Sequence, residues 1–368
     1  MSVLFIGPLP EPVTGQSLAC QVLLEALGPT QRVTVVNLSK HTFRQGVSSL
    51  ARVKEVLAIL ARVWREQRTH EVVYLTISES LAGNLKDLAI YALCRGRLGS
   101  VVVHLHGGAG LRELLREPGR PLARANRYFL RRIGACIVLG PRLADIFEGS
   151  VERARTFIVP NFAEDSSFFD VPGIEAKFRA VAPTRLLFLS NLIPGKGYLE
   201  LLEAYRILQA ESPGAFEIDF AGGFESSADE ARFRNDLAGL PGARYHGVVR
   251  GAEKRALFFG AHVFLLPTYY PYEGQPISIL EAYAAGCAVV TTNHSGVFDV
   301  FAPDANGFEV RGRSVESLVS CLRIIRGNPQ SLAAVGLRNY RLACERFRAD
   351  RYCREVIAVL DSRRGSSP

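Results

Sequence analysis

An alternation of short apolar runs with longer amphipathic stretches constrains this chain more than any other feature, and it occurs twice. The first series of runs lies at 3–6, 33–38, 72–75, 101–105, 136–139 and 157–159, the second at 185–189, 216–220, 243–246, 263–266, 289–292 and 308–310. Runs this short read as strands buried on both faces, whereas the stretches at 50–68 and 82–94 have the length and spacing of helices. Such alternation predicts a doubly wound parallel α/β sheet, and two series predict two of them. A chain of 368 residues is also too long for one ordinary core. Between the series, Pro160-Asn161-Phe162, Pro172, Gly173 and Pro183 punctuate a segment at about 160–183, which reads as a hinge linker with one short helical piece near 174–181. The expected organisation is a first domain over 1–170, a second over 184–345 and a helical tail over 346–368 whose last four residues fray. In the second domain, helices are expected at about 198–210, 227–239, 252–260, 276–285 and 314–326.

Charge is distributed unevenly. Residues 1–180 carry 23 Lys/Arg against 16 Asp/Glu, and residues 181–368 carry 21 against 20. The densest basic cluster is Arg112, Arg116, Arg120, Arg124, Arg127, Arg131 and Arg132, opposed locally by Glu113 and Glu117. It implies an anionic partner, unless it is only a solvated helix face. Nucleic acid is disfavoured, because few aromatics interleave the arginines and no nucleic-acid motif accompanies them. An anionic membrane surface or a phosphorylated acceptor fits better. The seven cysteines contain no Cys-x-x-Cys pair and sit mostly in apolar segments, as reduced core residues of a cytosolic protein do. No basic n-region precedes the first apolar run, and no segment approaches the roughly 18–20 apolar residues of a spanning helix, so any membrane contact is expected to be peripheral.

The run Tyr269-Tyr270-Pro271-Tyr272-Glu273-Gly274-Gln275-Pro276-Ile277-Ser278-Ile279-Leu280-Glu281 places two glutamates eight positions apart around a helix start. Pro267 and Thr268 end the preceding strand, so Glu273 falls on a loop. Pro276 suits the first helical position, and Gly286 stops the helix. Backbone N–H groups across Gly274, Gln275, Pro276, Ile277 and Ser278, the proline excepted, then face the loop, where a diphosphate binds well. Glu281 lies about 7–8 Å farther along the axis, the offset of a ribose from its phosphates. Two solvated carboxylates beside a helix are the bland alternative.

This Glu-x7-Glu pattern, with Leu265-Leu266-Pro267-Thr268 before it and Ala282-Tyr283-Ala284-Ala285-Gly286-Cys287-Ala288-Val289-Val290-Thr291-Thr292 after it, resembles the signature of retaining glycosyltransferases of family 4. The resemblance implies the GT-B fold, two Rossmann-like domains facing a cleft, with the final helix crossing back to the first. It also implies that Glu273 bonds hydroxyls of the donor sugar and Glu281 holds the ribose diol. The stretch Leu189-Ser190-Asn191-Leu192-Ile193-Pro194-Gly195-Lys196-Gly197 resembles the family's Gly-Arg-Leu…Lys-Gly element, in which Arg and Lys neutralise the leaving nucleoside diphosphate. Lys196 matches the lysine, and Asn191 stands where the arginine is expected.

Other candidates lie on strand ends. Gly15, in the loop after the first strand, would let backbone approach the donor phosphate, and His106 in His104-Leu105-His106-Gly107-Gly108 would contact donor sugar or acceptor, while His104 packs within the sheet. Gly222 and Gly247 are expected to allow close approach of the nucleotide. Asn161 and Phe162 match the family's hinge element. Two glycines eight apart in the first loop are not the dinucleotide fingerprint. No Asp-x-Asp and no metal-spaced His/Cys cluster occurs, so neither a metal nor a cofactor is expected. The reading is a metal-independent hexosyltransferase with a nucleotide-sugar donor and a saccharide or lipid-linked acceptor. A nucleotide-sugar epimerase of the same fold and a two-domain sugar-binding protein are its rivals.

Overall fold

The computed structural model describes residues 1–39, 49–117 and 119–364. The fraying expected at 365–368 lies outside them. Two compact units result, one formed by Met1–Asn161 with the chain from Asp350 onward, the other by Phe162–Ala349.

The first unit contains β1 (Ser2–Gly7), α1 (Gly15–Leu27), β2 (Arg32–Asn37), α2 (Ser49–Glu66), β3 (Val72–Thr76), α3 (Leu81–Leu93) and β4 (Val101–Leu105). There follow α4 (Ala109–Leu115), α5 (Pro121–Leu130), β5 (Ala135–Val138), α6 (Pro141–Ala144) and β6 (Thr156–Ile158). The strands form one parallel sheet in the order β2-β1-β3-β4-β5-β6. Strands β3, β4 and β5 are buried along their whole length, which is why they read as unbroken apolar runs. Helix starts follow local capping chemistry: Thr14 and Ser17 form a reciprocal capping box at α1, and the Ser80 hydroxyl accepts from Gly83 N at α3. Helix α3 packs between α2 and α5, where Asn84 and Asn126 exchange amide hydrogen bonds of 2.9 and 2.8 Å.

The second unit contains α7 (Val171–Lys177), β7 (Thr184–Leu189), α8 (Tyr198–Glu211), β8 (Phe216–Ala221), α9 (Ser227–Leu237), β9 (Ala243–Tyr245) and α10 (Gly251–Gly260). Then come β10 (Val263–Leu266), α11 (Ile277–Ala284), β11 (Ala288–Thr291), β12 (Gly307–Glu309), α12 (Val315–Gly327) and α13 (Ser331–Arg346). Helix α14 (Ala349–Asp361) ends the described elements, and its Cys353 thiol approaches Val22 O within the first unit. The second sheet is again parallel, in the order β12-β11-β10-β7-β8-β9. Strand order reverses between β7 and β10. Open α/β sheets bind ligands at the carboxyl ends of the strands beside such a switch point.

The segment expected to be a linker at 160–183 differs from that expectation from residue 162 onward. Phe162, Ala163, Phe168, Ile174, Phe178 and Val181 are buried, and most of them join the core of the second unit. Pro172 does not break the chain there. It occupies the first turn of α7, which Asp170 caps through Gly173 N, and Ile174 and Phe178 recur at helical spacing. Lys177 is buried and donates to Ala285 O at 2.6 Å, closing the end of α11.

Gly222 is required by packing as well as by conformation. Its φ is +139°, and a Cβ there would lie 1.8 Å from Ser190 O. Gly247 has φ +71° but open space around a Cβ. Gly222→Ala should therefore lose about 1–3 kcal/mol from backbone strain before the clash is counted. Gly247→Ala should lose about 1–2 kcal/mol. Urea unfolding of the two variants checks this, and equal losses would show that the Ser190 loop moves aside freely.

Candidate functional site

The loops that leave β7 and β10 meet at the switch point, and glycines make the contact possible. Gly195 and Gly197, with φ +96° and +80°, flank Lys196, and a Cβ on Gly197 would lie 2.4 Å from Pro267 O. Tyr269 N donates to Gly195 O at 2.6 Å, tying the two loops together. Lys196 Nζ is thereby set against the Glu273 carboxylate, 2.9 Å from Oε1 and 2.7 Å from Oε2. The Thr268 hydroxyl donates to Oε2 at 2.7 Å, and Ser295 Oγ donates to the Glu273 carbonyl at 2.5 Å. Glu273 is only 6% exposed, so this ion pair is largely withdrawn from water.

Helix α11 begins at Ile277, so Pro276 is its N-cap in extended backbone and not its first helical residue as expected; no side chain caps this start, and Glu281 sits within the helix at 2% exposure. Its partner is Lys254 of α10, whose Nζ lies 2.6 Å from Glu281 Oε1 and 2.5 Å from Glu164 Oε2. Ser167 Oγ adds a longer bond of 3.4 Å to Glu281. One ammonium thus serves two carboxyls. Burial pushes the Glu281 carboxyl up to about 7, Lys254 opposing and Glu164 reinforcing the shift. Burial also works against ionisation of Glu164, yet Lys254 outweighs it and holds that carboxyl below its ordinary range. Lys254 is correspondingly raised, because the two acids overcome the penalty of its burial.

Residues 183–326 match the family described as Glycosyl transferases group 1. Over 160 residues the chain is 28% identical to the amylovoran biosynthesis glycosyltransferase AmsK of Erwinia amylovora, a match that covers 42% of this chain and 39% of that one. The chain therefore spans less than half the length of this curated relative. Among solved structures, HepE of Anabaena in complex with UDP and glucose has a TM-score of 0.72 at 16% identity, covering 98% of this chain and all of that one. WaaG, a glycosyltransferase involved in lipopolysaccharide biosynthesis, has a TM-score of 0.70 at 16% identity, covering 99% and 100%. These likenesses show the fold, which is GT-B with two Rossmann-like domains.

Lys196, Lys254, Glu273 and Glu281 all lie within the matched stretch 183–326, and so do Gly274, Gln275, Pro276, Ile277 and Ser278 at the start of α11. Asn191 is exposed on the β7 loop. Gly222 and Gly247 adjoin it on the strand rim, joined by Gly222 N donating to Gly247 O at 2.7 Å. The first unit holds the other two candidates. Gly15 opens α1, and His106 directly follows β4, with both ring nitrogens out of solvent and without a hydrogen-bond partner. Burial holds the His106 ring down at about 3, so it is neutral at pH 7. Its ring stacks 4.0 Å from that of His104, which is fully buried and shares a 2.8 Å bond with Tyr74 Oη.

Sequence reasoning missed Lys254 and Glu164. A signal for Lys254 exists in the composition: residues 181–368 contain many arginines but only two lysines, Lys196 and Lys254, and each meets one of the paired glutamates.

The Glu281 shift gives stability a defined pH dependence. Its carboxyl titrates near 7 in the folded chain against an ordinary 4.5, so its stabilising contribution is complete below pH 4.5 and is lost as pH rises through 7. Glutamine does not ionise. The melting temperature of Glu281→Gln minus that of the parent should therefore become more positive between pH 5 and pH 8. A difference that stays flat across this window would mean that Lys254 fully offsets the burial of Glu281.

Proposed function

We propose that this chain is a retaining glycosyltransferase of the family 4 type, which moves a hexose-type sugar from a nucleotide-sugar to a saccharide or lipid-linked acceptor in surface-polysaccharide synthesis. The observation that carries the proposal is the double pairing of Glu273 with Lys196 and Glu281 with Lys254 around the switch point of the second sheet. Carboxylates are good acceptors for sugar hydroxyls, and an ammonium beside an uncapped helix start is a good partner for a diphosphate. AmsK is named for amylovoran biosynthesis, and HepE was solved with UDP and glucose, which supports a nucleotide-sugar donor and a polysaccharide product.

On this reading Glu281 accepts from the ribose hydroxyls and Glu273 orients the donor sugar. An acceptor hydroxyl attacks the anomeric carbon on the face from which the diphosphate leaves, so configuration is retained. Lys196 and the N–H groups at the start of α11 stabilise the charge that develops on the departing phosphate. No metal ion is needed for that step. Among the described residues the seven cysteines form no disulfide.

Thermal-shift titration with UDP, GDP and ADP identifies the base, because stabilisation follows ligand affinity. With that nucleotide, Glu281→Ala should weaken binding by about 10–150-fold, the equivalent of about 1.5–3 kcal/mol for a charge-assisted contact. An unchanged dissociation constant would remove Glu281 from the site. Glu273→Gln and Lys196→Ala should each reduce turnover more than nucleotide affinity, since their contacts strengthen as the bond to the diphosphate breaks. Their losses should not add, because the two groups form one contact. Wild-type turnover in both, or an inverted anomer in the product by NMR, would overturn the donor pose. Activity abolished by EDTA and restored by a divalent cation would overturn metal independence.

A further inference from the structure

The basic run at 112–132 is largely engaged within the fold. Arg127 donates to Leu115 O at 2.9 Å, Arg112 to Arg142 O at 2.9 Å, Arg131 to Gly149 O at 3.3 Å and Arg132 to Tyr128 O at 2.6 Å. Arg116 and Arg120 pair with Glu113 and Glu117. The large apolar side chains left in solvent lie elsewhere in the first unit. On α2, Val53, Leu57 and Trp64 are 54%, 58% and 65% exposed, and on the neighbouring α3, Leu81 and Leu85 are 59% and 54% exposed.

These residues are not scattered. Val53, Leu57 and Trp64 recur at the four- and seven-residue intervals that keep side chains on one face of a helix. Exposed Lys54 and Arg65 lie beside that face at helical spacing, and Arg52, Arg62 and Arg68 are exposed in the same stretch, against Glu55 and Glu66. An exposed apolar patch rimmed by charge marks an interaction surface, and tryptophan and leucine on one face with arginine beside them is the composition of a helix that lies in a membrane interface. Charge selects between occupants. A second copy of this surface would bring like charges together, whereas anionic headgroups would complement them.

We infer that the α2–α3 face, through Trp64, Leu57, Val53, Leu81 and Leu85, docks on an anionic lipid bilayer, with the flanking arginines against the headgroups. Among the described residues no helix is long and apolar enough to cross a membrane, so the contact is an interfacial one. Leu81 opens α3 directly after the loop leaving β3, on the same strand rim that carries His106. The docked surface therefore borders the first unit's rim, where a lipid-linked acceptor would be presented. The inference rests on the surface alone and not on the proposed transfer reaction.

The experiment uses the whole chain, because Trp64 is its only tryptophan and reports on this face directly. Vesicles of phosphatidylglycerol and phosphatidylcholine are titrated into the protein, with phosphatidylcholine alone as the comparison. Trp64 emission is expected to shift to shorter wavelength with the anionic vesicles and to be quenched by bromine carried on their acyl chains. The doubly substituted Leu57→Gln, Leu85→Gln protein, which retains Trp64, should partition at least about tenfold more weakly. Arg62→Ser with Arg65→Ser and Arg68→Ser should abolish the preference for anionic vesicles. Both variants change exposed positions, and unaltered melting curves confirm that they fold. The inference is overturned if the emission stays unshifted with anionic vesicles, if the leucine variant partitions like the parent, or if concentrating the protein without lipid produces the same shift through self-association. None of these readouts measures turnover, so failure here leaves the proposed reaction standing.

Discussion

Two carboxylates withdrawn from water within nine residues of sequence set the terms for the second unit. Burying an isolated carboxylate costs several kcal/mol even after relaxation, and it is tolerated only with an opposite charge and hydrogen bonds in place. Each of the two acids obtains its cation from a different element: Glu273 from the loop after β7, Glu281 from α10. The rest of the local architecture follows from those deliveries. Gly195 and Gly197 must be glycines so that Lys196 can be carried against the β10 loop, and the chain around Glu164 must pack beside α10 so that Lys254 can face both acids. The second domain consequently arrives with its charged groups already placed, instead of waiting for a ligand to order them.

All the strands were legible in the sequence to within a residue or so, for a specific reason. A parallel sheet covered on both faces demands continuous apolar runs, so β3, β4, β10 and β11 stand out from their polar surroundings without any knowledge of their neighbours. The start and stop of α11 were equally local, in Pro276 and Gly286. What misled was punctuation. Pro172 and Gly173 suggest a linker when counted as breakers, yet a proline in the first turn after a capping Asp170 begins a helix, and the apolar spacing of 174 and 178 carried that information. At Gly222 the structure adds a packing reason for glycine, the nearby Ser190 O, that no local pattern shows.

The charged residues were the least legible, because their meaning depends on partners distant in sequence. Lys254 lies 27 residues from Glu281 and 90 from Glu164, and no local pattern links them. Only the scarcity of lysine beside abundant arginine hints that Lys254 is placed and not merely solvated. The arginine run of the first unit is a second case. Counting charges gives a basic face, and it does not show that Arg112, Arg127 and Arg131 also reach backbone carbonyls across loops, contacts that leave their charge in place. The exposed apolar stripe on α2 was hidden by the same cause, since helical spacing of Val, Leu and Trp is ordinarily the mark of a core-facing side.

The two glutamates also differ in a way that bears on the proposed transfer. Glu273 has a lysine to itself and a hydroxyl donor in Thr268, so its carboxylate is matched one to one. Glu281 shares its lysine with Glu164 and is held near neutrality by burial. A carboxyl in that state is under-supplied with donors, and a pair of ribose hydroxyls would provide them without moving the backbone. Lys196 is the converse case. It already meets two oxygens of Glu273 and has one further N–H to offer, so a diphosphate would share it instead of replacing its partner. Sugar, ribose and leaving group would then each meet a group whose hydrogen-bonding capacity is partly unfilled, and the carboxylate–lysine pairs that hold the empty site together would remain in place when the donor enters it.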